Sequence, residues 1–182
     1  MKRALALALA LWATLGPALA GQDDPRLLEM FVRLQGHLDQ TEAERLETEI
    51  WSVWYQNDDS AITSLMHQGR AAMSIGDFDD AEAYYSQVIE RDPAFAEGWN
   101  RRATLYYLMG RYEDSIADVT KTLELEPRHF GALSGMGLIY TALKDEETAL
   151  VWFEKALEVN PHMAGVRYRV ELIKKRLAGE PT

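Results

Sequence analysis

The feature that most constrains this chain is a repeat. From Ala96 to His129 the sequence passes through two helical patterns, a turn around Gly110 and a closing proline, Pro127, within 34 residues. The same skeleton recurs on either side, in blocks 62–95, 96–129 and 130–163. The turns Gly76-Asp77-Phe78, Gly110-Arg111-Tyr112 and Lys144-Asp145-Glu146 fall in register, as do Pro93, Pro127 and Pro161. A fixed period of this kind marks a helical repeat array. One unit cannot bury its own apolar stripe, so several must stack into a continuous core.

The residue types follow from that packing. A small residue lies midway along each first helix (Gly69, Ala103, Gly137), and another opens each second helix (Ala81, Ser115, Ala149). Where two helix axes approach most closely, only such residues leave room for the opposing backbone. The larger Tyr85, Val119 and Phe153 are expected to fill the wider gaps toward the next unit. A turn glycine ends the first helix without a Cβ penalty. The proline has no N–H with which to continue the second. Gly135-Met136-Gly137 belongs to this helical pattern and is no phosphate loop.

These positions carry a family resemblance. The pattern W-x2-L-G-x2-Y is kept as Trp99, Ala103 and Tyr106, and again as Leu133, Met136, Gly137 and Tyr140. The pattern A-x3-F is kept as Ala149 and Phe153, and as Ala81 and Tyr85. Departures are Ser115 for alanine, Thr122 for a small apolar residue and Lys144 for the turn glycine. The chain thus resembles the tetratricopeptide repeat (TPR) proteins over residues 62–163. Through Glu97–Thr104 and Pro127–Leu133 it is similar to the exported TPR proteins of alphaproteobacteria. The resemblance implies an all-α fold: a TPR-type α-solenoid, a right-handed superhelix of antiparallel helix pairs with a C-terminal capping helix. Its concave face would be lined by the first helices.

In the family's register the exposed concave positions are Thr63, Met66, Arg70 and Met73, then Glu97, Asn100, Thr104 and Tyr107, then Gly131, Ser134, Leu138 and Thr141. The partner-binding residues implied are Met66, Arg70, Met73, Asn100, Arg101, Thr104, Tyr107, Ser134 and Leu138. Relatives that clamp a peptide's terminal carboxylate use Lys, Asn, Asn, Lys and Arg on this face. This chain has Met66, Arg70, Arg101, Leu138 and Ala142 instead, so the clamp is missing. Arg70, Asn100 and Arg101 could still hold one acidic group. A groove polar in its middle and small and apolar toward its C-terminal end suits an extended or helical segment with apolar side chains, with or without one carboxylate.

The flanks read less regularly. Asp24-Pro25 is a helix start, with Asp24 as cap and Pro25 at the first position. Leu27, Leu28, Phe31, Leu34 and Leu38 follow helical spacing until Gly36 intervenes, and Thr41 with Glu44 reads as a capping box. Ala43, Leu46, Ile50, Val53 and Trp54 form a second stripe, and Asn57-Asp58-Asp59-Ser60 is turn chemistry. Residues 21–61 are therefore expected to form an acidic hairpin, either a cap or a worn repeat. Residues 164–178 form a capping helix, with Val166, Val170, Ile173 and Leu177 on one face and Arg167, Arg169, Lys174, Lys175 and Arg176 on the other. Residues 179–182 are a tail.

The first twenty residues read as a secretory leader. Lys2 and Arg3 precede the apolar run Ala4–Leu15, Gly16-Pro17 breaks it, and Ala18-Leu19-Ala20 offers cleavage after Ala20. The run is shorter than the roughly 18 residues a membrane span needs. The expected location is periplasmic, with no membrane span in the mature form. The chain has no cysteine, which excludes disulfides and thiolate chemistry. Its net charge of −10 disfavours phosphate backbones, so no nucleic-acid partner is expected. His37, His67, His129 and His162 fall in no metal-binding spacing, and no P-loop or G-x-S-x-G occurs. No catalysis, cofactor or metal is expected. The reading is an exported scaffold or adaptor that binds a protein or peptide. The alternatives are a structural role as a homo-oligomer through self-association, with the basic last helix against an acidic first hairpin, or an accessory that binds a small ligand or acts as an enzyme.

Overall fold

The computed structural model describes residues 21–179; the expected leader, residues 1–20, and the tail residues 180–182 lie outside them. A short 3-10 turn at Gly21–Asp23 leads into α1 (Arg26–Leu34) and α2 (Gln40–Trp54). Three helix pairs follow: α3 (Ser60–Ser74) with α4 (Phe78–Arg91), α5 (Ala96–Leu108) with α6 (Tyr112–Leu125), and α7 (Phe130–Ala142) with α8 (Glu146–Val159). The last element is α9 (Ala164–Leu177), which covers the end of the array. Every regular element among the described residues is helical.

Each pair closes small against large. A Cβ on Gly69 would come 2.6 Å from the Tyr85 ring, and one on Gly137 would come 2.5 Å from the Phe153 ring. Tyr85 and Phe153 therefore pack on the small residue of their own repeat. The expected placement toward the next unit is corrected by this contact: the ring needs the flat floor that only a missing side chain provides. The departures from the repeat pattern are accommodated locally. The Ser115 hydroxyl donates to the Ala103 carbonyl at 2.7 Å, and the buried Thr122 hydroxyl donates to the Asp118 carbonyl at 2.9 Å. Lys144 adopts the same left-handed turn, φ +62°, that Gly76 and Gly110 adopt at +80° and +73°. The three turns are closed alike, by Asp77 N–H to Ala72 O, Arg111 N–H to Tyr106 O and Asp145 N–H to Tyr140 O, each at 2.9 Å.

The hairpin α1–α2 does not stack on the array in the way the repeats stack on one another. α4, α6 and α8 each pack along the first helix that follows them, whereas α2 hardly approaches α3. Instead α1 runs across the links that follow α4, α6 and α8. At its N-terminal side the Gln22 amide donates to Ala94 O at 2.7 Å. Phe31 lies under the Arg128 guanidinium, 4.5 Å from the ring centroid. At its C-terminal side Gln35 donates to Val159 O at 2.6 Å, and His162 Nε2 is 3.0 Å from Leu34 O. α2 then returns: Asn160 donates to Glu47 at 2.8 Å near the last link, and Asn57 donates to Asp92 at 3.0 Å near the first. Leu27, Phe31, Leu34, Leu46, Ile50, Val53 and Trp54 form a core of their own, into which Phe130 projects.

Local details of the hairpin also differ from expectation. The capping box lies two residues earlier, with Asp39 accepting from Glu42 N–H and Glu42 from Asp39 N–H, because α2 begins at Gln40. Leu28 is 69% exposed, since α1 buries only the Leu27–Phe31–Leu34 face. Asp24 accepts from Arg26 N–H at 2.8 Å, but α1 begins at Arg26, so Pro25 precedes the first helical position instead of holding it. On α9, Arg176 is half-buried and bonded to Glu146 at 2.6 Å, so it is no part of a free basic face.

Candidate functional site

The first helices present a face unlike the rest of the molecule. α3 and α7 contain no carboxylate, and α5 contains one, Glu97. α4, α6 and α8 each carry four carboxylates and a single cation. Within the repeats acidic charge is thus concentrated on the second helices, and the first helices carry little of the carboxylate behind the chain's net charge of −10.

In the α5 half of this face the one carboxylate is enclosed. Glu97 is buried, paired with Arg101 and hydrogen-bonded by the Asn100 amide at 2.9 Å. His129, fully buried at the start of α7, has Nε2 3.1 Å from Glu97 Oε2. Its Nδ1 accepts the Ala132 N–H at 3.0 Å, so Nε2 carries the proton and donates to Glu97. Burial alone would raise the Glu97 carboxyl, but the Arg101 charge and the hydrogen bonds from His129 and Asn100 outweigh it and hold the group below its usual range. Burial likewise opposes the Arg101 charge, and Glu97 more than restores it.

The hairpin roofs this cluster. Trp54 stacks on the His129 imidazole at 4.1 Å with the planes 9° apart, and Trp51 meets the same ring edge-on at 5.2 Å. The Arg101 guanidinium lies 4.8 Å from the Tyr55 ring centroid and 5.7 Å from that of Trp51. Burial raises the Tyr55 hydroxyl pKa above its usual value. Two donors at this contact, Trp54 Nε1 and Tyr55 Oη, are buried without a hydrogen-bond partner. Gly131 is the floor beneath Trp51: a Cβ there would come 2.4 Å from the indole ring.

The α7 half is open. Between α5 and α7 lies a mainly apolar cavity of about 130 Å³, floored by Ala103, Ala132 and Gly135 and walled by Tyr107 and Leu138. Thr104 and Ser134 border it, but their hydroxyls already donate to Asn100 O at 2.9 Å and Gly131 O at 3.0 Å. The space therefore favours an apolar group.

Of the expected partner-binding residues, Asn100, Thr104, Tyr107, Ser134 and Leu138 come together around this cavity. Arg70 is exposed at the N-terminal end of the face, and Met73 is half-buried, its sulfur 3.9 Å from Tyr85 Oη. Three expectations of exposure are corrected. Met66 is 1% exposed because it packs in the α3–α4 core, and Glu97 and Asn100 are buried in the ion-pair cluster. Arg101 reaches the face but lies under Tyr55 and Trp51. His129, Trp51 and Tyr55 were not anticipated in the site. One signal was present: His129 stands where the neighbouring repeats have Phe95 and Met163, and a polar residue at an apolar position asks for a partner.

Among the described residues no helix is long and apolar enough to cross a membrane, and no group of three or more His, Asp or Glu side chains is placed to hold a metal ion. The tetratricopeptide repeat family model matches residues 67–119 and 100–164. A TPR repeat-containing protein of Rhizobium etli is 33% identical over 94 residues, which are 52% of this chain and 46% of that protein, so the chain spans about half the relative's length. Among solved structures, the first TPR of Spaghetti (RPAP3) bound to an HSP90 peptide is similar, at TM-score 0.62 and 23% identity over 66% of this chain and 96% of that one. The Sgt2 TPR domain of Aspergillus fumigatus matches at TM-score 0.62 and 24% identity, covering 68% and 87%. MamA matches at 0.60 and 18%, covering 78% and 80%. With the repeat skeleton, the small-on-large helix pairs and a family match over more than half its length, the chain belongs to the tetratricopeptide repeat family.

Proposed function

We propose that this chain is a non-catalytic adaptor whose concave face holds a segment of another protein, seating one apolar side chain in the cavity between α5 and α7. The observation that carries this reading is the cavity itself: about 130 Å³, floored by small residues, on a face with no free carboxylate. Its size suits one aliphatic or aromatic side chain, and Arg70 offers a cation to an acidic neighbour along the same segment. The HSP90 peptide bound to the RPAP3 domain, and the Hsp70 complex of the yeast Sti1 TPR2B domain, support peptide capture as a use of this architecture. The leader pattern of residues 1–20 supports export to the periplasm, with cleavage after Ala20.

A Cβ on Gly135 meets nothing within 4 Å, so Gly135→Leu should fold and fill the cavity. In pull-downs from periplasmic extract, partners recovered by the wild type should be lost with Gly135→Leu and reduced with Arg70→Glu. Equal recovery by all three proteins refutes the groove as the site. N-terminal sequencing of the exported protein should begin at Gly21; a protein that begins at Met1 refutes the processing.

A further inference from the structure

The α1–α2 hairpin lies on positions that the repeat register assigns to the partner face. Trp51 covers Gly131, and Tyr55 covers Arg101. Its attachment has the marks of a separable unit. It has its own core, joined to the array through Phe130, Val159 and Met163, through Trp51 and Trp54 on His129, and through Tyr55 against the α3–α4 core. It does not pack along α3, and Tyr55–Asp59 is the tether between α2 and α3. The contact is also imperfect in polar terms, because Trp54 Nε1 and Tyr55 Oη give up water and gain no acceptor. Each such loss works against docking. Native proteins open in contiguous units, and a motif with a separate core and unsatisfied donors at its base is suited to open before the rest.

We infer that the hairpin is a displaceable lid over the N-terminal half of the groove. When docked, it confines a partner to the α5–α7 cavity. When it lifts as a unit, Arg101, Glu97 and His129 join the binding face. A segment long enough to use both halves must then compete with Trp51 and Tyr55, so the hairpin lowers its apparent affinity by the fraction of molecules that are open. What the lid governs rests on the groove reading above; that the lid opens does not.

Amide hydrogen exchange on the full chain, followed by mass spectrometry without any partner, separates the two claims. α1 and α2 should exchange together and at least tenfold faster than α5–α8. Gly131→Ala places a methyl group against the Trp51 ring and should speed α2 exchange at least a further tenfold while leaving α6 and α8 unchanged. Trp51→Ala, which removes the ring and introduces no clash, should act in the same direction. A hairpin that exchanges in step with α5–α8 in the wild type, or variants that speed all helices alike, overturns the lid. Neither result bears on whether a partner enters the cavity.

Discussion

α5 and α7 hold the same place in successive repeats, yet they use it in opposite ways. Glu97, Asn100, Arg101 and Thr104 on α5 correspond to Gly131, Ser134, Gly135 and Leu138 on α7. On α5 the charged set turns inward, forms a buried network and is roofed by α2. On α7 Gly131 lies under Trp51, and Ser134, Gly135 and Leu138 border an open cavity. The backbone is common to both, so the repeat fixes where a side chain stands and not whom it meets. One half of the concave face is occupied by this chain, and the other is free for a different one.

That contrast can be broken most severely at Glu97. Glu97→Ala leaves Arg101 and His129 without their carboxylate in a desolvated site, and breaking a buried pair in this way costs about 3–5 kcal/mol. Urea or thermal unfolding should show it; a cost under about 1 kcal/mol would mean the network does not tie α5 to the start of α7. A milder test uses pH. The folded Glu97 carboxyl lies below the usual 4.5, so its contribution is present above pH 4.5 and is lost as pH falls below it through the folded value. Stability of the wild type should decline in that acid window more steeply than that of Glu97→Gln, measured as urea midpoints against pH. Parallel profiles would assign the acid sensitivity to other carboxylates. The smallest effect belongs to the open half. Gly135→Ala, in a helix interior with free space around the new methyl, should stabilise by about 0.5–1 kcal/mol. A loss of stability there would mean the cavity is filled in the folded chain.

The array was legible because its determinants are local and repeated. Gly69 and Tyr85, or Gly137 and Phe153, lie within one repeat at a fixed step, and each copy corroborates the others. α9 was legible for the same reason, since Val166, Val170 and Ile173 keep a helical period, but Leu177, the expected last member of that stripe, is 47% exposed at the helix end. The hairpin's helices could be read from their stripes, but their destination could not. Trp51 and Trp54 meet His129 and Phe130 across most of a hundred residues, and nothing in either stretch names the other. The same long-range contact explains why Arg101 is covered. The register predicts an exposed Glu97 because it fixes direction alone; the burial of Glu97 depends on Arg101 and His129 being there to compensate it.

The central claim is that a partner segment lies along the open half of the concave face. A photo-reactive amino acid at Ser134, on the cavity rim, tests it directly against the same probe at Glu124, an exposed position on α6. Irradiation in an extract of the source cells should give a discrete cross-linked species from position 134 that Gly135→Leu abolishes, and none from position 124. Cross-links from position 124 alone, or a species from position 134 that survives Gly135→Leu, would contradict the account.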